Sequence, residues 1–413
     1  MPTMTTQWLG QPAHTRWLEQ ETDALLRFGR ASRTAQGFGY LDAEGVVDPA
    51  ATTELWITCR MTHCFSLATL LGRPGFAPLV DHGLKALAEV FEDTEHGGWF
   101  SAVGPEGPVE TRKEAYPHAF VLLATSSATA AGRPGAAELF ARAQAVQTQR
   151  FWRDAEGMVV ESWDRTFTEL EEYRGVNANM HTVEAYLAAA DVTGDESWLD
   201  RALSIARRVV DDFARGSDWR IPEHFDPAWT PLPEYNRDDP GHKFRPFGAT
   251  IGHWFEWSRL VLQARDSVVA RGRDPEPWML EGATALFSRG VEAWAADGVN
   301  GFVYTVDFDG VPVVRERMHW VITEAIGAAA VLHRVTGEEK YDDWYRTCWD
   351  HAAEYFVERP GAWVHELGPD LAPSAKTWSG KPDIYHSLQA TLLPRLPVSP
   401  AIAPSLAAGL LDS

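Results

Sequence analysis

Six times along the 413 residues, a polar cluster containing a histidine runs straight into an apolar segment of helical length. Arg60 and His63 lead into FSLATLL, Tyr116 and His118 into AFVLLATSSATAA, and Asn177 and His181 into TVEAYLAAA. His253 and Glu256 open WSRLVLQA, His319 and Trp320 open VITEAIGAAAVL, and Asp383 and His386 open SLQATLLPRL. A helix that is apolar all round after its first turn has to be buried on every side. Between these segments lie amphipathic stretches with apolar residues at spacings of three and four, which predict helices over 14–31, 78–92, 135–151, 196–214, 277–296 and 338–357. The polar-headed segments predict helices over 55–71, 117–131, 178–192, 250–265, 317–335 and 383–393. Short aromatic extended pieces such as EHGGWFSAV, EGMVVESWD and GAWVHELGP, and a hairpin-like NGFVYTVDFDG, separate the two kinds.

The repeating unit is therefore an amphipathic helix, a β-like turn and a polar-headed apolar helix. Length alone suggests two or three domains, but repeats share one core, so a single domain over 1–413 is expected. Six units give twelve helices, and the arrangement that buries all of them is a closed toroid, an all-α (α/α)6 barrel with short β pieces at one end. Alanine-rich inner helices permit close approach around the ring. Their first turns would converge at one end, and that convergence defines the candidate site. The irregular stretch 220–249 is long enough to form a wall over the mouth. The apolar tail after Pro397 is expected to pack on the outside.

Imidazoles near their ordinary pKa of about 6.5 can take or give protons at neutral pH. His253 and His386 are the candidate catalytic pair. Glu256, one turn on from His253, could orient that ring or hold a hydroxyl. Asp383, three residues before His386, could fix the tautomer of the second ring. The pairs Trp56–Arg60, Asn177–His181 and Trp320–Glu324 share helix faces and would present their heads to the same cup, with Tyr116 and Trp378 beside them. Arg60 could hold a developing oxyanion. His63, His118 and His319 rank below these, and His63, one turn deeper than Arg60, is expected in the core or in support of the site. Most of the 18 Trp fill gaps between helices, and those beside the polar heads could stack on a sugar ring.

Several functions are excluded or disfavoured. A formal charge of −21 argues against nucleic acid or an anionic membrane as partner. No apolar run is long enough to span a membrane, and the first residues lack a secretory pattern. Cys59, Cys64 and Cys348 suit a reducing compartment, so a cytoplasmic protein is expected, acting as monomer or homodimer. There is no HExxH, no tight Cys/His cluster and no compact carboxylate set, so no catalytic metal or other cofactor is expected. No phosphate-binding glycine loop and no nucleophilic triad is visible. A glycosidase would need a carboxylate pair, for which Asp164, Glu169, Glu171, Glu172, Glu256 and Glu324 stay open. A non-catalytic sugar-binding module is the remaining alternative.

The runs RGVNANMHTVEAYLAAADVTGD, GHWFEWSRL, VVRERMHWVITEAI and WSGKPDIYHSLQATLLPRLP resemble the N-acylglucosamine 2-epimerase superfamily, over about Trp8 to Pro397, and most of all its aldose–ketose isomerase branch. The resemblance implies an (α/α)6 barrel working without a metal on a monosaccharide. It implies interconversion of D-mannose and D-fructose, with D-lyxose as a related substrate and 2-epimerisation as the alternative. The family's two catalytic histidines fall on His253 and His386. Its sugar-binding residues fall on Arg60, Asn177, His181, Glu256 and Trp320, with Tyr116 and Trp378. The nucleotide response of vertebrate members has no counterpart signal here.

Overall fold

The computed structural model describes residues 7–413. Six helices form the inner wall of a ring: α2 (Leu55–Leu70), α4 (Ala115–Ala130), α6 (Val176–Thr193), α8 (Ile251–Ala270), α10 (His319–Thr336) and α12 (Tyr385–Leu392). Each is buried along almost its whole length, and each packs on the next, with α12 returning to α2. Six more form the outer layer: α1 (Pro12–Gly29), α3 (Ala77–Ala86), α5 (Ala136–Val146), α7 (Glu196–Ala206), α9 (Pro277–Glu292) and α11 (Glu339–His351). The expected twelve-helix barrel is present, with ends within a few residues of those read from periodicity. Four outer helices finish in a wider π turn, Leu87–Phe91, Gln147–Phe151, Arg207–Ala214 and Ala352–Phe356. No helix among the described residues is long and apolar enough to cross a membrane.

The inner helices lack side-chain N-caps, although the first N–H groups of any helix need acceptors. The following repeat supplies one of those acceptors. Leu55, Ala115, Val176, Ile251 and His319 donate their backbone N–H to the carbonyls of Ser101, Glu161, Glu223, Tyr304 and His365, at 2.7–3.2 Å. Each bond extends a two-residue antiparallel ladder. Thr53–Glu54 pairs with Ala102–Val103, Lys113–Glu114 with Ser162–Trp163, and Arg174–Gly175 with His224–Phe225. Ala249–Thr250 pairs with Thr305–Val306, and Arg317–Met318 with Glu366–Leu367, while a bridge from Leu41 to Lys381 closes the circle. With the caps supplied by backbone, first-turn side chains remain free to face the axis.

The tail departs from expectation. Instead of packing outside, it forms α13 (Ile402–Ala407) against α2, α4 and α6, with Ala401, Ala403, Ser405 and Leu406 buried. A ring of six helices leaves a hole at its lower end, and small apolar residues fill it.

Candidate active site

At the upper end the helix heads surround a cavity whose empty space, open mouth included, is about 650 Å³. Trp56 and Arg60 reach it from α2, Tyr116 from α4, Asn177 and His181 from α6, and His253 and Glu256 from α8. Trp320 comes from α10, His386 from α12, and Asp383 and Trp378 from the segment before α12. Every residue named from the sequence for proton transfer or sugar binding lines this one space, except Glu324. The 220–249 stretch contributes Lys243, Phe244 and Pro246 to the wall, as its length suggested. Phe244 packs on Trp56, Tyr116 and Trp378 with ring centroids 5.4–6.0 Å apart, so an aromatic rim surrounds the opening.

Both candidate catalytic imidazoles are paired with carboxylates. His253 Nδ1 lies 2.9 Å from Glu223 Oε2, and His386 Nδ1 lies 2.9 Å from Glu324 Oε1. A carboxylate only accepts, so each Nδ1 carries the proton and each Nε2 presents a lone pair. The Trp320 ring lies between the two, with centroids 5.3 Å from His253 and 5.8 Å from His386. Gly252 makes this possible, because a Cβ there would stand 2.2 Å from the indole. Burial, and then the charge of Arg60, pushes His386 well below the usual imidazole range, which keeps its ring uncharged and its Nε2 lone pair unprotonated at neutral pH.

Two roles assigned from local spacing are corrected. Asp383 does not orient His386. Its carboxylate receives Arg60 Nη1 at 3.2 Å and the Tyr385 N–H at 2.8 Å, so the nearer charge and the helix start claim it. Glu324, from the neighbouring helix, does that work from behind the cavity wall. Likewise Glu256 does not orient His253. Glu223 does, from the loop ladder, and Glu256 sits one turn deeper.

The carboxylates also form a tighter set than the sequence suggested. Glu184, Glu256 and Glu324 surround Arg259, whose Nε meets Glu324 at 3.2 Å and whose Nη2 meets Glu256 at 3.5 Å. Glu184 accepts from Gln389 at 2.9 Å and from the Tyr385 hydroxyl. His181 Nδ1 lies 3.6 Å from Glu256 and 3.7 Å from Glu184. Donor atoms of His181, Glu184 and Glu256 come within 4.8 Å of one another, the one such group among the described residues. The Arg259 guanidinium already supplies positive charge there. Burial, reinforced by Glu324, pushes the Glu256 carboxyl well above its usual range, which favours its neutral form at the cavity floor.

Arg60 is held over Phe120, Tyr385 and Trp56 at 4.5–5.0 Å from their centroids, and it also donates to the Tyr116 hydroxyl at 3.0 Å. Its guanidinium is held by these rings in the wall of the cup. Sequence reading missed Glu223, Tyr304 and His365, which share one repeat position: the residue whose carbonyl caps the preceding inner helix. Aligning the six units at that position would have found them. His118 is a packing residue, donating to the Glu114 carbonyl and accepting from the Trp99 N–H. His63 lies midway along α2 and faces a separate space below the cup, shared with Glu184, Arg259 and the tail. Of the carboxylates considered for hydrolysis, only Glu256 lines the cup.

The family profile described as N-acylglucosamine 2-epimerase (GlcNAc 2-epimerase) matches residues 37–390. A D-mannose isomerase of Thermobifida fusca is 53% identical over 407 residues, covering 97% of this chain and 99% of that one. A D-mannose isomerase of Pseudomonas cannabina pv. alisalensis is 48% identical over 404 residues, 97% of each chain. A crystal structure of a D-mannose isomerase superposes with a TM-score of 0.85 at 27% identity, covering 92% of this chain and 98% of that one. A glycoside hydrolase family 76 mannosidase of Bacteroides thetaiotaomicron, at 12% identity and a TM-score of 0.60, shares the fold alone. The chain belongs to the N-acylglucosamine 2-epimerase family.

Proposed function

We propose that this chain is an aldose–ketose isomerase that interconverts D-mannose and D-fructose, with the whole ring acting as one catalytic unit. The observation that carries the reading is the pair of imidazole–carboxylate dyads, both with Nε2 free, on either side of Trp320 in one sugar-sized cup. Near-full-length identity to two D-mannose isomerases supports the substrate. His253 assists opening of the pyranose. His386 removes the C2 proton and, once the imidazolium has exchanged with solvent, delivers a proton to C1, while the hydroxyl proton passes from O2 to O1. C1 is reduced and C2 oxidised within one molecule, so no external electron carrier enters the balance. Arg60 and His181 hold the oxygens of the cis-enediolate, where charge develops in the transition state. Three buried thiols fit a reducing, cytoplasmic setting.

Turnover of D-mannose in D₂O with chelator present tests this reading. Deuterium at C1 of D-fructose is the expected result. Label at C2 of recovered aldose with no ketose would make the enzyme a 2-epimerase instead, and loss of turnover with chelator would restore a metal to the mechanism.

A further inference from the structure

His319, ranked below the candidate site residues from the sequence, holds an unused, buried acceptor in the wall of the cup. It is the first residue of α10, buried, and part of the cavity wall. Its Nδ1 lies 3.4 Å from the His365 carbonyl oxygen, which can only accept, so Nδ1 holds the proton and Nε2 the lone pair. That Nε2 has no hydrogen-bond partner among the described residues. A buried acceptor left unmet costs about 1–3 kcal/mol, so a polar ligand that meets it gains accordingly.

The ring is also fixed in place. His365 stacks on it with centroids 3.7 Å apart and planes 28° from parallel. Burial holds both imidazoles below their usual range, and two stacked rings this close do not charge together. Neutrality removes His319 from any need for a counter-ion. Its centroid is 6.3 Å from that of His386, edge-on, so one short carbohydrate chain can touch both.

We propose that His319, braced by His365, accepts a hydrogen bond from a substrate hydroxyl beyond the reacting C1 and C2, and so sets which sugars the cup accepts. This rests on the isomerase reading above. A site built around a sugar hydroxyl rejects the analogue that lacks it, because its own polar group is then left unmet.

The experiment measures kcat/KM for D-mannose and for its 3-, 4- and 6-deoxy analogues with wild type, H319F, H319Q and H319N. Wild-type turnover of D-mannose is the control; its absence would defeat the isomerase reading and not this one. The expected wild type disfavours one deoxy analogue by about tenfold to a hundredfold. H319F should lose a similar factor on D-mannose and nothing more on that analogue. H319Q, whose amide oxygen can reach the Nε2 position, should recover most of the loss, and H319N should not. Wild-type indifference to all three deoxy sugars would overturn the proposal, as would an equal loss in H319F on every sugar. Should H319F fail to fold, the Gln and Asn variants decide, and identical behaviour of the two would overturn it.

Discussion

The two ends of this barrel are built from the same inner helices and both contain buried histidines. Towards the lower end, midway along α2, His63 Nδ1 meets the Ser127 hydroxyl at 2.8 Å, and its Nε2 is buried without a partner among the described residues. Residues 401–403 of the tail seal the space beside it. At the upper end His253 and His386 have carboxylates on Nδ1 and open cavity at Nε2. An imidazole becomes a base where an anion fixes its proton on one side and a substrate can reach the other. The lower end provides neither condition.

The sharpest break of that contrast is removal of an upper imidazole. His386→Ala and His253→Ala should each lower kcat by at least about 10²–10⁴-fold with little change in melting temperature. A His386→Ala enzyme turning over near the wild-type rate would end the assignment. Next comes Gly252→Ala, a change that favours helix elsewhere. Here the new methyl displaces Trp320 from between the two rings, and kcat/KM should fall by about a hundredfold or less. Normal kinetics in that variant would show that the indole's position does not matter.

Glu223→Gln tests whether the anion behind the imidazole is needed. It removes the charge yet keeps the shape, so kcat should drop by about 10-fold or more while KM changes little. The lower end should answer differently. His63→Gln is expected to change kcat/KM by less than about threefold while costing about 1–3 kcal/mol of stability, read by denaturant unfolding. A large kinetic loss there would erase the distinction between the ends.

The last test of the contrast concerns pH. Burial lowers His63 and His181 to about 4 and His118 to about 3, against about 6.5 in the unfolded chain. Between those values the unfolded state binds more protons, so this stability is complete above about pH 6.5 and is lost as pH falls towards 4. Each such group contributes a slope of about 1.4 kcal/mol per pH unit within the window. Unfolding free energies measured between pH 7.5 and 4.5 should decline on the acid side, less steeply in the His63→Gln variant.

Periodicity made the architecture legible because each helix offers many residues to the pattern. The catalytic candidates were legible because they sit at helix heads. Glu223, Tyr304 and His365 were not, since two-residue strands carry no period and their partners lie in another repeat. Asp383 was misassigned by nearness in sequence. A side chain arriving through space, Glu324, had the better approach to His386, while Arg60 drew the local acid away. The tail was misread because six residues say little until the hole they fill is known.

The contact of α1 with α12 has a consequence of its own. The last inner staff of the palisade leans on a helix more than 350 residues earlier in the chain, so the ring closes only across that long separation. A circle has no natural starting point, so joining the old ends through a linker and cutting at the turn after Gly132 or Gly272 should give permutants that close the same ring from a different seam.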